Sequence, residues 1–191
     1  MEHDDLLNRF RRLGALLEGH FRLTSGLHSS AYLQCALVLQ YPAEAEALGR
    51  ALAEKMRALR PNVVLSPALG GLIIGHEVGR ALGVRAVFAE RVDGVLTLRR
   101  GFHLGGADRV LVVEDVLTTG GSTRETMDVA RARGATVVGA VSVINRSGAK
   151  DPVDVPFASL AAITPPTYDP ESCPLCAKGL AVTKPGSRPG I

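Results

Sequence analysis

The sequence predicts an α/β protein: a central, mostly parallel sheet flanked by helices. Three observations point there. Several short apolar runs, such as residues 110–113 (VLVV), lack polar alternation, as expected of strands buried on both faces. These runs alternate along the chain with helical patterns, and small-residue turns join strand ends to helix starts. At 191 residues, the chain suits one domain with a substantial core plus a small cap.

Taken in order, residues 4–18 carry an apolar stripe (Leu6, Leu7, Phe10, Leu13, Leu16, Leu17) with Asp4 or Asp5 as a cap, predicting a first helix. Residues 21–41 hold two apolar runs around the turn signal Thr24-Ser25-Gly26 and read as strands or a hairpin. Residues 42–60 form an alanine-rich helix opened by Pro42. A short buried strand at 63–66 leads into PALGGLIIGHEVGRALG, a glycine-bearing turn and helix, and residues 85–90 give another strand. Residues 91–108 (RVDGVLTLRRGFHLGGAD) are polar, cationic and glycine-punctuated, predicting a mobile hairpin or loop. After the strand at 110–113 comes a helix over 122–133, stopped at Gly134, and residues 136–144 and 157–163 supply the last strands. The Pro- and Gly-rich tail after Pro165 is expected to wrap over a surface.

The functional signal is concentrated in VLVVEDVLTTGGST, residues 110–123. A buried parallel strand opens its carboxyl end onto a crevice. Thr118, Thr119, Gly120, Gly121 and Ser122 are small enough for backbone N–H groups to converge, and the helix that follows adds its positive dipole end. Such a turn binds phosphate. Glu114 and Asp115 at its lip would repel bare phosphate but can hold sugar hydroxyls or a phosphate-bound magnesium. The ligand therefore combines hydroxyls, phosphate and metal. No Gly-Lys-Ser/Thr follows, which excludes a Walker loop, and the GxGxxG dinucleotide pattern is absent.

Net charge +3 and a pI near 9.0 fit a small anionic substrate better than nucleic acid, because the basic residues are dispersed and aromatics are only 4%. No apolar stretch is long enough to span a membrane, and the acidic amphipathic start MEHDDLLNRFRRL is not a secretory signal, so the expected location is cytoplasmic. Cys35 in YLQCALVL reads as a small buried hydrophobe. Cys173 and Cys176 form one CxxC, too few ligands for a four-sulfur zinc site, which leaves a metal or redox role open beside a structural turn.

The segment 110–123 closely resembles the phosphoribosyl pyrophosphate (PRPP) motif of the type I phosphoribosyltransferases. Four further segments resemble the orotate phosphoribosyltransferase family: FRLTSGLHSSAYLQ, SPALGGLIIG, ERVDGVLTLRRGFHLGG and VINRSG. The resemblance implies the type I fold, with a small hood made from about residues 1–40 and the tail 165–191. It implies that Glu114, Asp115, Val116, Leu117, Thr118, Thr119, Gly120, Gly121 and Ser122 bind PRPP, with Leu69 and Gly70 offering backbone N–H groups to its pyrophosphate. It places Tyr32, Leu33, Thr118 and Arg146 around orotate, Arg146 pairing with the carboxylate.

The resemblance further implies a flexible catalytic loop carrying Arg91, Arg99, Arg100 and His103, which in dimeric relatives reaches the neighbouring subunit's site. With Asp115 these are the expected catalytic residues. Mg²⁺ would ride on PRPP and pyrophosphate rather than on a protein cage. The expected reaction moves ribosyl-5-phosphate from PRPP to orotate, a step of pyrimidine synthesis, in a homodimer. A phosphoribosyltransferase for a purine or other base, or a PRPP-sensing nucleic-acid-binding regulator, stands as the alternative.

Overall fold

The computed structural model describes residues 3–23 and 25–185. Thr24, in the expected turn signal, and residues 186–191 of the expected tail lie outside the described residues. Helix α1 (His3–Arg12) buries Leu6, Leu7 and Phe10, as its stripe predicts. It stops before the stripe does. Gly14 adopts φ +68°, a left-handed conformation that glycine reaches without a Cβ clash, and Leu16 and Leu17 fall in strand β1 (Leu16–Arg22) instead. Strand β2 (His28–Leu33) pairs antiparallel with β1, giving the expected hairpin. The next apolar run, CALVL, folds as the one-turn helix α2 (Ala36–Leu39) rather than a strand.

Helix α3 (Pro42–Met56) starts at its proline. There follow β3 (Val63–Pro67), α4 (Gly71–Leu82), β4 (Arg85–Val92), β5 (Val95–Leu98), β6 (Arg109–Leu117), α5 (Gly121–Arg131), β7 (Thr136–Asn145), β8 (Phe157–Ala162), β9 (Thr167–Tyr168) and α6 (Pro174–Ala177). The main sheet has the order β5-β4-β3-β6-β7-β8. All its pairings are parallel except the β4–β5 hairpin at one edge.

The unalternating strands are covered on both faces. Along β6, Val110 and Val112 join a cluster with Met127 and Ala130 of α5, while Leu111 and Val113 join the cluster containing Leu48 and Leu52 of α3 and Ile74 of α4. Burying four such side chains contributes on the order of 1.5–3 kcal/mol each, enough to fix the strand whose end carries the site.

A second sheet, β1-β2-β9, stands apart as the hood. The tail contributes β9 to it and returns as a single bridge between Phe21 and Thr183. The hood is narrower than residues 1–40, because α1 packs into the main core. Among the described residues no helix is long and apolar enough to cross a membrane.

Candidate active site

The cradle forms where β6 gives way to α5. Gly120 sits at φ +77°, outside ordinary L-residue space, and lets the chain turn directly into the helix at Gly121. Residues 114 and 116–123 enclose a pocket of about 120 Å³ lined largely by backbone and hydroxyls, at the positive end of α5. Arg124 braces the turn from outside: its guanidinium donates to the carbonyls of Thr119 (2.6 Å) and Pro152 (2.9 Å).

The two carboxyls at the lip differ. Glu114 is buried, and loss of hydration together with the neighbouring Asp115 charge pushes its pKa up to about 9. It therefore stands protonated at neutral pH. Asp115 is also raised by burial, but the Val116 N–H donates to its carboxylate at 2.8 Å and opposes that shift. The β3–α4 turn carries Leu69 and Gly70, and it presses on the same group: a Cβ at Gly70 would lie 2.7 Å from Asp115 Oδ1. Leu69 is 82% exposed, so the turn offers backbone rather than side-chain chemistry to a ligand. The two glycine-bearing turns, far apart in sequence, thus meet at Asp115.

A cleft of about 810 Å³ opens beside the cradle, between the hood and the carboxyl ends of β6 and β7. Thr118 and Thr119 line both spaces, so a ligand can pass from one to the other. Tyr32 forms part of the hood wall, and Arg22, Arg146 and Lys184 supply positive charge; among the described residues no carboxylate lines the cleft. Arg146 is the most telling. Burial lowers its pKa, and its Nε has no hydrogen-bond partner among the described residues. A buried guanidinium donor left unmatched costs free energy unless an anion meets it.

Comparison with known proteins fits this geometry. A phosphoribosyl transferase domain model matches residues 37–169. The chain is 53% identical over 186 residues to the orotate phosphoribosyltransferase of Carboxydothermus hydrogenoformans, covering 96% of this chain and 97% of the relative. To that of Caldanaerobacter subterraneus subsp. tengcongensis it is 48% identical over 188 residues, covering 98% and 99%. The chain belongs to the orotate phosphoribosyltransferase family. Among solved structures, orotate phosphoribosyltransferase from Aeropyrum pernix superposes with TM-score 0.70 at 27% identity, over 83% of this chain and 93% of that one. Adenine phosphoribosyltransferase from Thermoanaerobacter pseudethanolicus shares the fold alone, with TM-score 0.60 at 18% identity over 70% and 88% of the chains. The fold is thus shared by phosphoribosyltransferases named for different bases.

In this phosphoribosyltransferase the structure brings together Glu114 to Ser122, Leu69, Gly70, Tyr32 and Arg146. Leu33 is the exception among the expected base contacts: neighbouring strand residues face opposite ways, and with Tyr32 toward the cleft, Leu33 points into the core cluster. The loop cations are not in the chain's own cleft either. Arg91 pairs with Glu125 at 2.9 Å and donates to the Gly94 carbonyl, and Arg100 pairs with Glu90 at 3.0 Å. Arg99 and His103 are exposed in the segment after β5. Of the two forms expected for residues 91–108, the first part takes the hairpin, at the edge of the main sheet, and the rest runs through turns after β5. Arg22, Arg124 and Lys184 carry no local sequence signal, and Arg22 and Lys184 meet only because the tail folds back on the hood.

Proposed function

We propose that this chain transfers ribosyl-5-phosphate from PRPP to N1 of orotate, giving orotidine 5-phosphate and pyrophosphate in pyrimidine biosynthesis. The observation that carries the base assignment is the half-buried Arg146, whose Nε is buried and unmatched, in a cleft lined by no carboxylate among the described residues, beside Thr118 and Tyr32. Orotate is a flat anion whose carboxylate can take both an Arg donor and a neighbouring hydroxyl.

The 120 Å³ cradle suits the 5-phosphate, and Asp115 suits the ribose hydroxyls. As the bond to pyrophosphate breaks, positive charge builds on the ribose, and the fixed Asp115 carboxylate stabilises that charge without reorganisation. Orotate brings an ionisable ring nitrogen, so no strong general base is needed. With Glu114 protonated, Asp115 is the one carboxylate beside the cradle among the described residues, which suits a magnesium ion that arrives on the substrate rather than one held by a protein cage. When bound, Mg²⁺ neutralises charge on the departing pyrophosphate.

Arg91, Arg99, Arg100 and His103 line neither the chain's own cleft nor its cradle, and in the proposed homodimer they act on pyrophosphate in the neighbouring subunit's site. Two anionic substrates and three free cysteines suit a reducing cytoplasm. Pyrophosphate release from PRPP and Mg²⁺ in the presence of orotate, uracil, adenine and hypoxanthine tests the assignment: orotate alone should support rapid turnover. Faster turnover with a purine would overturn it.

A further inference from the structure

The CxxC left incomplete in the sequence finds its missing partners in the hood. Register pairs Arg22 of β1 with His28 of β2, which makes His20, two residues back on the same strand, a diagonal neighbour of His28 across the hairpin. The tail brings Cys173 and Cys176 onto the two rings. Cys173 Sγ lies 3.5 Å from His20 Nε2; Cys176 Sγ lies 3.8 Å from His20 Nε2 and 3.4 Å from His28 Nδ1; the two nitrogens are 2.8 Å apart. One donor atom from each residue fits within 4.8 Å of all the others, and only Cys176 is exposed.

We propose that His20, His28, Cys173 and Cys176 form a structural Zn²⁺ site that clamps the C-terminal tail onto the hood. With Zn–N near 2.0–2.1 Å and Zn–S near 2.3 Å, the edges of a ligand tetrahedron run from about 3.3 to about 3.8 Å. The three sulfur–nitrogen distances already match, and the two nitrogens need to separate by only about 0.5 Å. His20 is already oriented as a ligand. Its Nδ1 lies 2.8 Å from the Leu180 carbonyl, and donation there leaves the Nε2 lone pair aimed at the cluster. Cys173 and Cys176 flank a helical turn in which the Ala177 N–H donates to the Cys173 carbonyl, so both sulfurs emerge on one side.

Binding displaces the two thiol protons to solvent. The resulting two thiolates, two neutral imidazoles and Zn²⁺ sum to zero charge, which a buried site tolerates. No open position remains, and none of the four side chains lines the cleft, so the role is structural. The clamp lies just ahead of Thr183, which bonds back to His20, and of Lys184 at the cleft wall.

The test is zinc content of the untagged full-length chain, purified in reductant, by plasma mass spectrometry, which reads the metal without any substrate. Wild type should hold about one zinc per chain, and Cys173→Ser/Cys176→Ser at least roughly tenfold less. Cobalt added to the zinc-free wild type should give the intense visible bands and thiolate charge transfer of a tetrahedral centre, lost in His28→Gln. Removing zinc with a chelator should raise trypsin cleavage after Lys178, which Gly179 follows, by about tenfold. A reduced wild type that takes up neither metal stoichiometrically, or a double cysteine variant that retains full zinc, overturns the site. Unchanged cleavage after zinc removal overturns the clamp.

Discussion

Individual residues in the cleft have separable roles. Arg146→Ala removes a charged donor that faces the cleft with its Nε unmatched. Losing such a bond costs about 1.5–3 kcal/mol, so kcat/KM for orotate should fall roughly 10- to 150-fold while PRPP binding holds, and Arg146→Lys should restore only part. Unaltered orotate kinetics in Arg146→Ala would remove the main support for the base. Asp115→Asn keeps the shape but loses the charge, so kcat should fall by about 100-fold or more with any accepted base, measured under PRPP saturation. A drop below about threefold would show that this carboxylate does not stabilise the transition state.

Glu114 makes a prediction about pH. Its carboxyl ordinarily titrates at 4.5 and here at about 9, so below the first value both folded and unfolded chains hold the proton. Between them only the folded chain does, and the ligand-free protein should lose stability as pH rises, by up to about 1.4 kcal/mol per pH unit. Melting temperature followed from pH 5 to 9 should fall more steeply in wild type than in Glu114→Gln. Parallel curves would place the titration elsewhere.

At the scale of elements, the site depends on two turns, each with a glycine, Gly70 or Gly120, that leaves no room for a side chain. A Cβ on Gly120 would both force a residue at φ +77° and lie 2.9 Å from Arg124 Nη1, so Gly120→Ala should lower stability by about 1 kcal/mol and weaken PRPP binding more than tenfold. Calorimetric titration with PRPP checks it; wild-type affinity would mean that the cradle can rearrange freely.

The β6–turn–α5 unit was legible because every cue is local: the apolar run, the acid pair and the small-residue turn lie within 14 consecutive positions, 110–123. The limits of α1 were not, since an apolar stripe continues through Gly14 and periodicity alone cannot detect a left-handed turn. Nor was the facing of Leu33, because Tyr-Leu on a strand does not declare which neighbour turns inward. Arg22 and Lys184, and equally His20, His28 and the CxxC, become neighbours only through a tail that closes about 150 residues of chain, a contact no short window contains.

For the whole molecule, the edge hairpin is where the proposed homodimer can be tested. If its cations serve a partner's site, Arg99→Ala/Arg100→Ala and Asp115→Asn are each inactive alone but complementary when mixed. Random reassortment gives half heterodimers, each with one intact site, so activity should recover to roughly a quarter of wild type. No recovery after exchange, in a species that sedimentation shows to be dimeric, would place the hairpin at its own chain's cleft. The returning tail has a practical corollary. Because Lys184 and Pro185 form part of the cleft wall, a purification handle or fusion partner appended after Ile191, six residues or at most about 20 Å of chain beyond Pro185, begins within reach of the cleft. A handle on the opposite terminus joins α1, which packs in the main core, and leaves the cleft mouth clear.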